Sequence, residues 1–201
     1  SETSLDQLYF IKMEELYMSW VTQMHAARQN IITEQMRVVA EKEKISVETI
    51  CERVAAGSIV IPANRNHKSL SPEGIGQGLR TKINVNLGIS GDSIDYEREM
   101  EKVKLCQKYN VEAIMDLSNY GKTSNFRQKL IESSSAMIGT VPMYDAIGYL
   151  EKDLLDISAK DFLSVVEAHA KQGVDFVTIH AGITRNVISM FKETKRLTNI
   201  V

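Results

Sequence analysis

The pattern of apolar and polar positions divides the chain near residue 81. From there on, short apolar runs rich in β-branched residues alternate with longer stretches in which apolar side chains recur at helical spacing. Strands are predicted over 82–87, 113–117, 137–143 and 174–180, and helices over 94–109, 124–133, 144–150 with 159–172, and 184–196. One strand and one helix in roughly every 30 residues is the pattern of a parallel sheet with crossover helices. The region before 81 reads as helical. Residues 4–20 place Leu5, Tyr9, Met13, Leu16 and Trp20 at helical spacing, and a second helix is predicted over 33–44 with Thr33 as its cap. A third starts on Ser46, has Glu48 and Glu52 near its start and ends at Gly57. A short apolar run follows at 58–62. The glycines at 74, 76 and 78 lack the spacing of a dinucleotide fingerprint and follow no strong strand, so a flexible loop is expected there.

Composition narrows the classes. The chain has 201 residues, enough for one domain or slightly more. A hydrophobic fraction of 43% and a charged fraction of 25% exclude a disordered or fibrous chain. With 24 basic and 26 acidic side chains the net charge is −2, which leaves no electrostatic footprint for nucleic acid or an anionic membrane. No apolar run approaches the roughly 20 residues of a membrane helix. The first 20 residues carry acids where an export signal has a basic region. Two cysteines, Cys51 and Cys106, form no CxxC pair, which excludes a zinc ribbon and fits a reduced, cytoplasmic setting.

Polar side chains gather at the C-terminal ends of the predicted strands: Asn84 and Asn86, Asp116 and Ser118, Tyr144, and His180. In barrels and open α/β sheets alike, that end carries the active site. Asn84 and Asn86 alternate with Ile83, Val85 and Leu87, so both amides share one face. They suit a polar heterocycle, or bonds to neighbouring backbone. His180 ends the apolar run DFVTIHAG, where an imidazole can donate to a phosphate or a ring nitrogen. By residue type alone Met115 and Tyr144 fit core packing as well as ligand contact. His169, inside a helical stretch, is expected to be solvated. In Ile61-Pro62-Ala63-Asn64-Arg65-Asn66-His67 the asparagines suit loop backbone, whereas Arg65 and His67 suit an anionic ligand.

Taken in order, TQMHAAR at 22–28, IPANRNH at 61–67, KINVNLG at 82–88, IMDLS at 114–118, IGTVPMYDA at 138–146, QGVDFVTIHAGI at 172–183 and KRLTNIV at 195–201 resemble the ThiC family, the phosphomethylpyrimidine synthases of thiamine biosynthesis. The resemblance runs from about Val21 to the last residue. It implies a radical enzyme that uses S-adenosylmethionine and a 4Fe-4S cluster to rearrange 5-aminoimidazole ribonucleotide into hydroxymethylpyrimidine phosphate on an α/β barrel. It also implies a zinc ion, an electron donor for the cluster, and a homodimer in which a C-terminal cluster domain serves the partner's barrel. Asn86, Met115, Tyr144 and His180 match the family's ribonucleotide-binding positions. The family's Ser-Arg-Gly-Gly motif, its zinc-ligating histidines and its three-cysteine cluster motif correspond to positions after Val201.

The expected fold is therefore α/β: an N-terminal helical region followed by the first four βα units of a TIM-type (β/α)8 barrel, truncated. Residues 1–20 stand as an unmatched helix, 21–80 as a helical region and loop ahead of the barrel, and 81–201 as its first half. The polypeptide by itself is expected to have no turnover. The same residues resemble the paralogous 5-hydroxybenzimidazole synthases, which take the same substrate toward a cobamide base. A non-catalytic piece that binds ribonucleotide or mediates dimer contacts is a third reading.

Overall fold

The structure is a computed structural model that describes residues 20–193 apart from 151 and 183. Residues 4–19 of the helix expected over 4–20, and 194–196 of the one expected over 184–196, lie outside the described residues.

Three short helices come first: α1 (Gln23–Arg28), α2 (Glu34–Glu43) and α3 (Val47–Ala56). Thr33 and Ser46 cap α2 and α3 by accepting the amides of Met36 and Thr49, and Gly57 ends α3 in the left-handed conformation, φ +79°. Those boundaries follow the capping residues as expected. The sequence reading missed α1, which is only six residues long and shows too little periodicity. Thr22 caps it by accepting the His25 amide at 3.0 Å. The apolar faces of α1–α3 close on Met36, Val39, Ile50, Val54, Ile59 and Ile61 as one core.

The segment around Gly76 is not a free loop. Ile59–Val60 (β1) and Ile75–Gly76 (β2) pair antiparallel. A Cβ at Gly76, whose φ is +148°, would lie 2.1 Å from the Ser58 carbonyl oxygen, so this close approach requires glycine.

The second unit alternates as expected: β3 (Asn84–Leu87), α4 (Tyr96–Lys108), β4 (Ala113–Asp116), α5 (Ser124–Ser133), β5 (Met137–Thr140), α6 (Pro142–Leu150), a 3-10 turn at Leu154–Asp156, α7 (Ala159–Gln172), β6 (Phe176–Val177) and α8 (Arg185–Glu193). The strands form one parallel sheet in the order β3-β4-β5-β6, so spatial order follows chain order without reversal. Leu87, Ile114 and Ile138 pack against Val103, Phe126 and Leu130 of the helices in a second core. All four strands are shorter than expected, β5 and β6 the most. Pro142 opens α6, and proline's fixed φ and missing amide hydrogen suit the first helical position, so the run to 143 splits into strand and helix. β6 keeps two ladder residues, although the amides of Asp175 and Thr178 still donate to Ile138 and Thr140 at 2.8 Å.

The segment between the two units braces the N-terminal ends of the strands. Arg80 pairs with Glu73 at 2.8 Å and with Glu112 just before β4, while Lys82 pairs with Glu43 of α2. His67 Nε2 and Ser69 Oγ both reach the Ser134 carbonyl, at 2.9 and 2.7 Å, and the Ser71 amide donates to Ser135 at 2.9 Å. The opposite ends of the strands stay clear of this brace.

Candidate functional site

One face of the sheet packs on the helices, and period two assigns the other face to the alternate residues. Across that second face the register aligns Asn86 with Met115, Met115 with Gly139, and Gly139 with Phe176. The Asn84 side-chain amide donates to Asn86 Oδ1 at 3.1 Å, and both side chains are exposed. Met115 is buried, with its sulfur 4.0 Å from the Thr178 hydroxyl. At the start of α6 the half-buried Tyr144 ring stacks on His180, centroids 5.7 Å apart and planes at 27°. The four expected site residues thus form two pairs. Asn86 and Met115 are cross-strand neighbours, and Tyr144 and His180 are ring partners. Thr178 is the link, touching Met115 and lying two residues before His180 in the extended run. Sequence reasoning missed Gly139, Phe176 and Thr178; a glycine inside an apolar strand was the one available signal of a close approach.

Two expectations about polar residues are corrected, one at a strand end and one in a helix. Asp116 turns to the helical side, where its carboxylate accepts the Ser118 amide at 3.0 Å and the Ser118 hydroxyl, and burial pushes its carboxyl up. His169 is 1% exposed rather than solvated. Its Nδ1 meets the Thr140 hydroxyl and its Nε2 the Asp145 carboxylate, both at 2.9 Å. Asp145 also accepts from Thr123 and from Arg127 Nη1 at 3.2 Å. Burial by itself raises the Asp145 carboxyl, but the bonds from His169 and Thr123 and the Arg127 charge outweigh it and hold it below the usual range.

His67 faces no solvent for an anionic ligand to arrive from, with its side chain 0% exposed. Its ring lies between two acceptors, Asp175 Oδ2 at 2.7 Å and the Ser134 carbonyl at 2.9 Å, so only the doubly protonated imidazolium satisfies both. Burial lowers its pKa, and Asp175, followed by the Ser134 and Ile131 carbonyls, more than reverses this, leaving it raised. A raised folded value means that the charge contribution is complete below the ordinary 6.5 and is lost as pH rises through the folded value. His67→Gln in the full-length protein is expected to lower the urea midpoint more at pH 6 than at pH 9. An equal loss at both values would show that the imidazole charge contributes nothing. Asn64 and Asn66 bond backbone, as one alternative held, but that of α7 and its exit: Ala170 and Val174 at 2.8 Å, Lys171 at 2.9 Å.

A cluster or metal does not fit the described residues. No group of three or more His, Cys, Asp or Glu among them is arranged to hold a metal ion. Cys51 and Cys106 are free, lie in separate cores, and burial pushes both thiols up, away from the thiolate that iron binds. Among the described residues no helix is long and apolar enough to cross a membrane.

An unreversed parallel sheet with crossover helices, Asn86 and Met115 side by side on it and the Tyr144–His180 stack at the start of α6, places the chain in the α/β class. The chain belongs to the radical SAM ThiC family, whose profile matches residues 22–201. It is 62% identical over 180 residues to the phosphomethylpyrimidine synthase of Campylobacter jejuni, covering 90% of this chain and 42% of that protein. With the enzyme of the same name from Clostridium tetani it shares 59% over 197 residues, 98% of this chain and 43% of the relative, and with that of Clostridium perfringens 62% over 184 residues. The chain therefore spans about two-fifths of the length of these relatives.

Proposed function

We propose that this chain is the ribonucleotide-binding N-terminal part of a phosphomethylpyrimidine synthase, which rearranges 5-aminoimidazole ribonucleotide into hydroxymethylpyrimidine phosphate by radical S-adenosylmethionine chemistry. The observation that supports this reading is the pairing of Asn86 with Met115 across the sheet and of Tyr144 with His180, with Thr178 touching Met115 two residues before His180. Three of these groups suit a flat polar nucleotide: the Asn86 amide offers a donor and an acceptor, and the Tyr144–His180 stack offers a ring face with two polar edges. Met115 adds a polarisable apolar contact. An unreversed parallel strand order is what the first four units of a closed (β/α)8 barrel require, and in that architecture the braced strand ends form the bottom and the clear ends the active-site mouth. Residues 21–80 then serve as the brace.

The 4Fe-4S cluster, S-adenosylmethionine and zinc enter this reading through the family alone; in it the described residues contribute binding and orientation. A homodimer, an electron donor and a cytoplasmic setting complete the proposal, the last supported by two buried, unbridged cysteines.

Calorimetric titration of the full-length protein with 5-aminoimidazole ribonucleotide tests the site. Tyr144→Ala and His180→Ala are each expected to weaken binding about tenfold, the loss of about 1.4 kcal/mol of contact. Unchanged affinity in both would remove these residues from the site. Anaerobic turnover with product mass then reads the reaction: hydroxymethylpyrimidine phosphate supports it, whereas hydroxybenzimidazole overturns it.

A further inference from the structure

We propose that the buried Asp145–His169 pair is the positioning device for Tyr144, setting the phenol over His180 from the opposite side of the sheet. This rests on the reading of Tyr144 and His180 as ribonucleotide contacts. Tyr144 and Asp145 are successive residues in the first turn of α6, so their side chains leave the helix about 100° apart. One goes to His180 and the other into the helical layer. There the carboxylate joins α6 to α5 and α7. Thr123 precedes α5, Arg127 lies one turn into it, and His169 comes from α7 and ties back to Thr140 at the end of β5. Arg127 is itself held, with Nη1 on Thr123 Oγ1 at 3.0 Å and Nε on Gln172 Oε1 at 2.6 Å. Asp145 is 5% exposed and Thr123, Arg127, Thr140 and His169 are 2% or less.

Such a cluster is a poor way to gain stability, because desolvating the charges offsets most of their attraction and apolar side chains of equal volume would do as well. What apolar packing does not supply is direction. Three donors converging on one carboxylate fix both the rotation of the first turn of α6 and its position along the axis, and a phenol one residue away inherits that precision. The sequence shows why the site needs it. Tyr144 lies two residues after the proline that breaks β5 from α6, so no strand ladder holds it in register.

The test is a double-mutant cycle on ribonucleotide affinity in the full-length protein, with the thermal midpoint recorded for every variant. His169→Phe keeps a planar ring, slightly larger than imidazole, and removes both bonds. It is expected to weaken binding about tenfold beside Tyr144 and to have no further effect in the Tyr144→Ala background, and His169→Gln, whose amide still donates to Asp145, is expected to recover part of the loss. Thr140→Val, which removes only the hydroxyl, gives the same coupling in milder form and serves if His169→Phe does not fold. Equal losses in both backgrounds, or none in either, would overturn the positioning role while leaving the site reading intact. No loss for Tyr144→Ala itself would overturn the site reading and this inference with it.

Discussion

Asp175→Ala is expected to lower the unfolding free energy of the full-length protein by about 3–5 kcal/mol, the range for stripping one partner from a buried pair. The Asp175 side chain is 0% exposed and satisfies three donors from three parts of the chain. Oδ1 accepts the Asn64 amide, Oδ2 accepts the Ile138 amide, both at 2.8 Å, and Oδ2 also accepts His67 Nδ1 at 2.7 Å. Alanine leaves two buried backbone amides and one buried imidazolium without acceptors, each incurring its own desolvation penalty. Asp175→Asn restores one acceptor and places an NH2 group against donors, so it is expected to be only partly better. Denaturant unfolding at pH 6 checks the series. A loss below about 1 kcal/mol for alanine would show that the brace between the two units is not energetically coupled to the sheet.

The second large effect is expected at Gly139. A Cβ there would lie 2.3 Å from two atoms of the Phe176 ring and 2.4 Å from the Met115 sulfur, distances no real contact shows. Gly139→Val is therefore expected to cost about 1–3 kcal/mol of stability through overpacking. By driving Met115 from its place it is also expected to weaken ribonucleotide binding about tenfold in the site reading proposed above, a further 1.4 kcal/mol. Gly139→Ala/Phe176→Leu removes the ring from the collision and should restore most of the stability. Wild-type stability and affinity in the valine variant would show that Phe176 and Met115 yield freely, and that their alignment on this face carries no function.

The chain's secondary structure was legible where the information is local. Thr33, Ser46 and Gly57 bound their helices because a cap is a contact between residues three or four apart. The period-two run around Asn84 and Asn86 was legible for the same reason. Legibility failed at α1, too short to show a period, and at Gly76, which closes on Ser58 just before β1. It failed most at the histidines. His169 occupies a polar-looking helical stretch, and only Asp145 and Thr140, more than 20 residues away, make it a buried residue. His67 was open between a loop and an anion contact until Asp175, 108 residues on, decided it.

By itself, then, the sequence determined the order of strands and helices, most of their boundaries, the side of β3 that carries amides, and a resemblance specific enough to name the family. The tertiary structure decided which polar groups turn toward the open face and which are spent holding the scaffold. Asp116, Asp145 and His169 went to the helical side and His67 to the brace, while Thr178 and Gly139 joined the open face. The reason is range. Propensity and capping act over one turn of chain, whereas the burial of a charge is set by donors that meet it only after the sheet has formed.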